Sequence, residues 1–218
     1  AVIIFWIYFS VIALILFILM SIVHFGLCDW SYLGLKKYKW SVSLTHGLNI
    51  VFGIIFFHTN ETFEIFTFLS NLSFNQFQEY LYIVYICYFF LLIRYAYLAI
   101  KFTRLRWGIL EMSIILLVIF LTEPLVAFSI YFCFIHTFKH VKSILKDTSK
   151  YLSNNKFITI TTISFTILTW VGGSLAIIYL HKSFSFDESF IKTLFIGLAA
   201  LTLPHMTLVD IFYRRKFN

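Results

Sequence analysis

Seven apolar runs separated by short polar connectors dominate the chain and predict a series of membrane-spanning helices. They cover residues 2–23, 40–57, 80–100, 108–122, 125–138, 157–180 and 190–211. Runs of about 20 apolar residues fit the ~30 Å hydrocarbon core of a bilayer, where helices satisfy their own backbone hydrogen bonds. The pattern therefore predicts an all-α protein, a polytopic transmembrane helical bundle with about seven spans.

The count of spans depends on a break at Glu123-Pro124, between the fourth and fifth runs. A single helix of roughly 30 residues would be ~45 Å long, well beyond the hydrocarbon core. Because the residue before a proline avoids the α conformation, we predict two helices joined by a tight turn. Basic connectors then alternate with neutral or acidic ones at every crossing, which predicts a cytoplasmic C-terminus.

Composition and charge agree with a membrane protein. The chain of 218 residues is 61% hydrophobic and only 12% charged, whereas a soluble domain is about 25% charged. The net charge of +7 does not indicate nucleic-acid binding, because the lysines and arginines concentrate in the connectors. We expect a single integral membrane domain, 1–218, in the cell (inner or plasma) membrane.

The chain starts at Ala1, inside an apolar run that has no basic n-region or cleavage site. Such a run is typical of a membrane span and not of a signal peptide. We therefore expect an N-terminally incomplete copy of a longer protein.

Five of the seven histidines fall on the cytoplasmic side in this topology: His24, His46, His136, His140 and His205. Ionisable groups at membrane depth are functional candidates by default. A spacing of four residues places His136 and His140 on one helical face, about 5–6 Å apart at Cβ, so that they can share an ion. An all-imidazole site favours iron, copper, nickel or zinc. The alternative is a helix end at which histidines meet lipid headgroups.

Asp29 lies five residues after His24 and is a candidate to orient a ligating imidazole by accepting its second N–H. A solvated carboxylate at the membrane interface explains it equally well. Glu111 and Arg94 also lie within spans, while His58 and His181 lie in the outer connectors.

Four segments carry a resemblance to a known family: SIVHFGLCDW, LTHG, EPLVAFSIYFCFIHTFKH and FIGLAALTLPHMTLVD. In order and spacing they resemble the Brp/Blh family of bacterial and archaeal membrane β-carotene 15,15′-dioxygenases, from about Trp6 to the C-terminus. The resemblance implies a non-haem Fe(II) enzyme that splits the central double bond of β-carotene with O2 into two all-trans-retinal. By motif it implies that His24, His136 and His140 are iron ligands, with His46 and His205 in the second shell or the pocket.

The resemblance implies four histidine ligands, and the chain departs from that family at the fourth. This ligand belongs to a Pro-His-Gly-x-x-Asp motif, which does not occur between Ala1 and Asn218. Either the motif lies upstream of Ala1, or His46 or His205 substitutes for it.

Other functions for a histidine-bearing membrane bundle remain open on the residues alone. A membrane di-iron hydroxylase or desaturase of carotenoids or lipids needs more histidines, in several His-rich boxes, than the five candidates here. A bis-histidine haem protein and a transporter are further alternatives. A retinal-binding opsin is disfavoured because Lys192 lies at the outer start of the seventh span, not at its middle. The sequence does not indicate an oligomeric state.

Overall fold

The computed structural model describes residues 2–30, 33, 36–70, 74–148 and 155–217, and no strand occurs among them. Every predicted apolar run forms helix, so the all-α prediction is confirmed. The helices in chain order are α1 (Val2–Tyr8), α2 (Ser10–Asp29), α3 (Lys39–Phe57), α4 (Thr59–Ser70), α5 (Phe74–Lys101), α6 (Arg104–Leu121), α7 (Pro124–Ile130), α8 (Thr137–Thr148), α9 (Asn155–Leu180) and α10 (Phe186–Phe217).

The predicted break at Glu123-Pro124 is confirmed. Helix α6 ends at Leu121, and Thr122 and Glu123 are extended, with ψ angles of 156° and 155°. Pro124 then opens α7, a position where its missing N–H costs nothing and its fixed φ suits a helix. The residue before the proline avoids α geometry, as expected.

Six helices in the described part of the chain are long and apolar enough to cross a membrane, one fewer than predicted. They are Ser10–Asp29, Lys39–Phe57, Leu81–Lys101, Pro124–Lys142, Thr159–Leu180 and Phe186–Met206. The difference is α6, which forms as a helix but carries Arg104, Arg106 and Glu111 within Arg104–Leu121. The chain is accordingly a helical membrane protein.

Helix α4 lies in a segment that the hydropathy pattern predicts only as a connector between two spans. Its buried residues recur at helical spacing, with Thr62, Phe63, Phe66 and Leu69 on the inner face. Glu61 and Glu64 are exposed. This is the pattern of a short amphipathic helix and not of a membrane span.

The chain divides into two compact units, each assembled from separate segments. The first comprises Ala1–Leu14, Phe68–Asn71 and Lys146–Asn218, and the second Ile15–Thr67 and Leu72–Leu145. The single domain expected from the sequence stays a prediction.

The first unit contains α9 and α10, which pack on each other, and α1, which packs on α10. Trp6 Nε1 donates to the carbonyl of Leu69 at 3.0 Å, and this bond ties α1 to the end of α4. Lys192 and Glu188 form an ion pair at 2.6 Å one turn apart on α10.

The second unit has a hydrophobic core formed mainly by α3, α5 and α6. Helices α2 and α3 approach each other through two glycines. A Cβ atom on Gly26 would overlap the backbone carbonyl of Ser43, and one on Gly47 would overlap that of Ile22. Small residues at such a crossing let two backbones come together in a membrane. The crossing places His24 and His46 near the same end of this unit.

Candidate metal centre

Three of the predicted site histidines are brought together in the second unit. His24 lies in the last two turns of α2, His136 ends a π-helical turn (Tyr131–His136), and His140 lies in the first turn of α8. His24 and His136 are buried, each 5% exposed, and His140 is half-buried. Residues from two distant segments of the chain therefore form one imidazole cluster.

The ring separations define this His24–His136–His140 cluster. The ring centroids of His24 and His136 are 5.1 Å apart, those of His136 and His140 5.8 Å, and those of His24 and His140 6.4 Å. With metal–nitrogen bonds of about 2.0–2.1 Å, two imidazoles on one ion have centroids roughly 4.5 to 6.5 Å apart. The spacing and the donor types therefore fit a shared transition-metal ion.

The side-chain orientations as they stand do not close around an ion. Within the described residues, no group of three or more His, Cys, Asp or Glu side chains is placed so that it could hold a metal. The donor types and the centroid spacing fit a metal, but the described side chains do not form a closed metal site.

Asp29 contacts His136 and not its sequence neighbour His24. Nδ1 of His136 lies 3.0 Å from Oδ1 and 3.2 Å from Oδ2 of Asp29. An ionised carboxylate only accepts hydrogen bonds, so Nδ1 of His136 is the donor. The tautomer that results leaves the Nε2 lone pair available to a metal.

Nδ1 of His24 is also occupied by a neighbour on its own helix. It lies 3.6 Å from Sγ of Cys28, one turn further along α2. Nδ1 therefore contacts a neighbouring side chain in both buried histidines.

Aromatic rings pack around His136. The ring of Phe25 lies 4.9 Å from that of His136, edge to face, and the ring of Phe132 stacks on it at 5.4 Å. Phe25 also contacts Phe128 and Tyr131. These side chains make the surroundings of His136 apolar and keep water away from it.

Lys139 links the cluster to α6 and to the end of α2. It forms an ion pair with Glu111, donates to the backbone carbonyl of Asp29 at 3.3 Å, and lies 4.4 Å from the centre of the Trp30 ring. Glu111, an intramembrane candidate in the sequence, thus has a cationic partner. The pairing explains how a carboxylate is retained within an apolar helix.

His46 does not join the three rings. It is fully buried and stacks on Trp30 with centroids 3.4 Å apart. Its Nε2 is hydrogen-bonded to the Tyr95 hydroxyl at 3.0 Å, and its buried Nδ1 has no hydrogen-bond partner among the described residues. The position of His46 in the sequence alone does not distinguish this packing role from metal ligation.

The remaining histidines are His58, His181 and His205. His205 follows Pro204 within α10, in the first unit. His58 contacts the carbonyl of Ile119 at 2.7 Å through Nε2, and His181 lies beside Phe186. The contacts of His58 are those of a residue that stabilises the end of α3.

Comparison with known proteins identifies relatives over nearly the whole chain. Residues 1–213 match the family model described as Beta-carotene 15,15'-dioxygenase. A curated Beta-carotene 15,15'-dioxygenase from uncultured marine bacterium 66A03 is 29% identical over 209 residues, which cover 96% of this chain and 75% of the relative. No solved structure matches the chain.

Proposed function

Because the chain belongs to the Beta-carotene 15,15'-dioxygenase family, we propose that it splits the central 15,15′ double bond of β-carotene with O2. Each carbon of the broken bond receives one oxygen atom, so that two molecules of all-trans-retinal form. The observation that carries the proposal is the His24–His136–His140 cluster, with the Asp29 carboxylate on Nδ1 of His136.

We propose that His24, His136 and His140 hold Fe(II), with a fourth ligand from the Pro-His-Gly-x-x-Asp motif of the family or from His46. Imidazole ligation suits iron and leaves positions for other ligands. When bound, the iron would supply the binding and activation of O2. His46 is the weaker substitute, because Tyr95 already occupies its Nε2.

The residues around the cluster hold the ligands in one form and exclude water. Nδ1 of His136 donates to Asp29, which would leave Nε2 as the nitrogen that binds the metal. Phe25 and Phe132 pack on the imidazole of His136 and keep that side dry. A long apolar polyene fits such a setting, where positioning of its central bond is the main task of the protein.

We further propose that the protein lies in the cell membrane with a cytoplasmic C-terminus. This orientation requires two crossings in this region. Helix α6 crosses the membrane in one direction, and α7 with α8 crosses it in the other. Arg104 and Arg106 occupy the first turn of α6, where they suit a cytoplasmic interface. Glu111 is the remaining charge of α6, and Lys139 pairs with it.

The proposal is tested in a β-carotene-producing bacterium that expresses the chain with any coding sequence preceding Ala1 in its gene. Cells with the parent protein should lose their orange colour and accumulate retinal. His136→Ala and His140→Ala should keep the cells orange while the protein still inserts in the membrane, because each removes one ligand. His181→Ala is the matched control, since His181 is exposed and lies outside the cluster; it should behave as the parent.

Four results would contradict the proposal. Retained retinal formation in either cluster variant would remove that histidine from the ligand set. Apocarotenals of unequal length in place of retinal would show that cleavage is not central. Purified parent protein with two irons per chain, or with a Soret band, would favour the di-iron or haem alternative.

A further inference from the structure

The helix that carries His136 widens into a π-helical turn over Tyr131–His136, between α7 and α8. In an α-helix of 3.6 residues per turn, side chains five residues apart point in directions ~140° apart. A π-helix closes its hydrogen bonds between residues five apart, so the same two side chains come close to alignment. Tyr131 and His136, which would diverge in an α-helix, therefore face the same neighbour.

That neighbour is the carboxylate of Asp29. The Tyr131 hydroxyl donates to Oδ2, and Nδ1 of His136 donates to Oδ1 at 3.0 Å. Both contacts bridge more than 100 residues of sequence. One carboxylate thus holds both ends of the π-helical turn.

On this basis we propose that Tyr131 is a positioning residue for the metal centre, acting through Asp29 on the imidazole of His136. The inference rests on the proposed function and adds the reason for the π-helical turn. The hydroxyl fixes Oδ2 and with it the rotation of the carboxylate, whose Oδ1 and Oδ2 lie 3.0 and 3.2 Å from Nδ1 of His136. His136 is then held in the tautomer and the ring orientation that ligation requires.

The burial of Asp29 makes the hydroxyl necessary. Asp29 is only 2% exposed, so water does not complete its hydrogen bonds, and a buried carboxylate needs partners for its oxygens. Lys139 donates to the backbone carbonyl of Asp29 and not to its carboxylate. Tyr131 and His136 are therefore the hydrogen-bond donors to the Asp29 carboxylate in the described structure.

The ring of Tyr131 has a separate, structural role that a test must leave intact. It is 2% exposed and packs edge to face on Phe25, with centroids 5.3 Å apart. Tyr131→Phe keeps this packing and removes only the hydroxyl. Tyr88→Phe is the matched control, since the Tyr88 hydroxyl donates to Asn49 at 2.6 Å in the same unit but not at the cluster.

The test is a Co(II) titration of purified, chelator-treated protein, produced with any sequence that precedes Ala1 and followed by the visible absorption of the bound ion. Loss of a residue that orients a metal ligand lowers metal affinity by roughly 10–100-fold. Tyr131→Phe should raise the Kd for Co(II) by about 10-fold or more on that basis. Tyr88→Phe should bind as the parent does.

A double-mutant comparison separates action through Asp29 from a general effect. Asp29→Asn should weaken Co(II) binding, and adding Tyr131→Phe to it should weaken binding no further, because the hydroxyl then has no carboxylate to orient. An equal loss on both backgrounds, or parental affinity in Tyr131→Phe, would overturn the inference. If Tyr131→Phe does not fold, Asp29→Glu substitutes for it, since the longer side chain displaces the carboxylate; parental Co(II) affinity in that variant would equally overturn it.

The metal readout is independent of the reaction. A parent protein that binds Co(II), shows the Tyr131 effect and yet leaves β-carotene intact when loaded with Fe(II) would refute the proposed function alone. Cleavage by the parent together with no effect of Tyr131→Phe would refute the positioning role alone.

Discussion

At the scale of single residues, His46 is a buried histidine that is stabilised by ring stacking and by one hydrogen bond at Nε2. It is stacked on Trp30, and its Nε2 is paired with Tyr95, whose hydroxyl also donates to the carbonyl of Leu105 at 3.3 Å. A Cβ atom on Gly108 would collide with that hydroxyl, so a glycine makes the room for it. These interactions explain the burial of His46 through packing and hydrogen bonding.

Tyr95→Phe should therefore lower the free energy of unfolding by about 1–3 kcal/mol, because it leaves Nε2 of His46 buried without a partner. Thermal unfolding in detergent measures the change. Tyr82→Phe is the control, since Tyr82 is 62% exposed. Metal content should stay at the parental level in both variants, and its loss in Tyr95→Phe would indicate that His46 belongs to the metal centre after all.

Residue types and spacing predict part of this site and cannot predict the rest. The spacing of His136 and His140 and the family motifs indicate the three rings that lie together. Asp29 is a candidate to orient an imidazole, but spacing within α2 gives no means of choosing His136, 107 positions away. No sequence pattern indicates a role for Tyr131, because residues five positions apart, such as Tyr131 and His136, do not share a face of an α-helix.

At the scale of helices, the crossing of α2 and α3 holds the end of α2 in place. The crossing depends on Gly26 and Gly47. A Cβ atom added to either glycine would meet backbone atoms and not a flexible side chain. Backbone cannot move aside as a side-chain tip can. Any added atom must therefore separate the two helices.

Gly47→Ala should lower stability by about 1–3 kcal/mol or more, the usual cost of overfilling a packed interface. It should also weaken metal binding, since separation of the helices displaces His24. Gly172→Ala on α9 is the control, because a Cβ atom there would meet nothing within 4 Å. Its thermal midpoint should equal or exceed that of the parent, as alanine favours helix. Equal midpoints for all three proteins would contradict a close backbone crossing.

Helix boundaries follow from sequence where a single residue dictates the backbone. Glu123-Pro124 ends one helix and begins the next for that reason. Helix α4 is not predicted from the hydropathy pattern, because its mixture of apolar and charged residues resembles that of a polar connector. The π-helical turn brings Tyr131 into a tertiary contact with Asp29, which no local pattern encodes.

At the scale of the whole molecule, the apolar surface is that of a membrane protein. On α5, Ile86, Phe89, Phe90 and Ile93 are all more than half exposed. An apolar face of this size is costly in water and suits the hydrocarbon of a bilayer. In the second unit, buried polar residues surround the His24–His136–His140 cluster. Polar residues within a membrane are where intramembrane chemistry is expected.

The most direct test of the account is the product stoichiometry of the purified protein, supplied with Fe(II), β-carotene and air in detergent. Central cleavage predicts two molecules of all-trans-retinal for each β-carotene consumed, and no product after the metal is removed with a chelator. Unequal apocarotenals, a hydroxylated carotenoid, or undiminished turnover in the metal-free protein would contradict it.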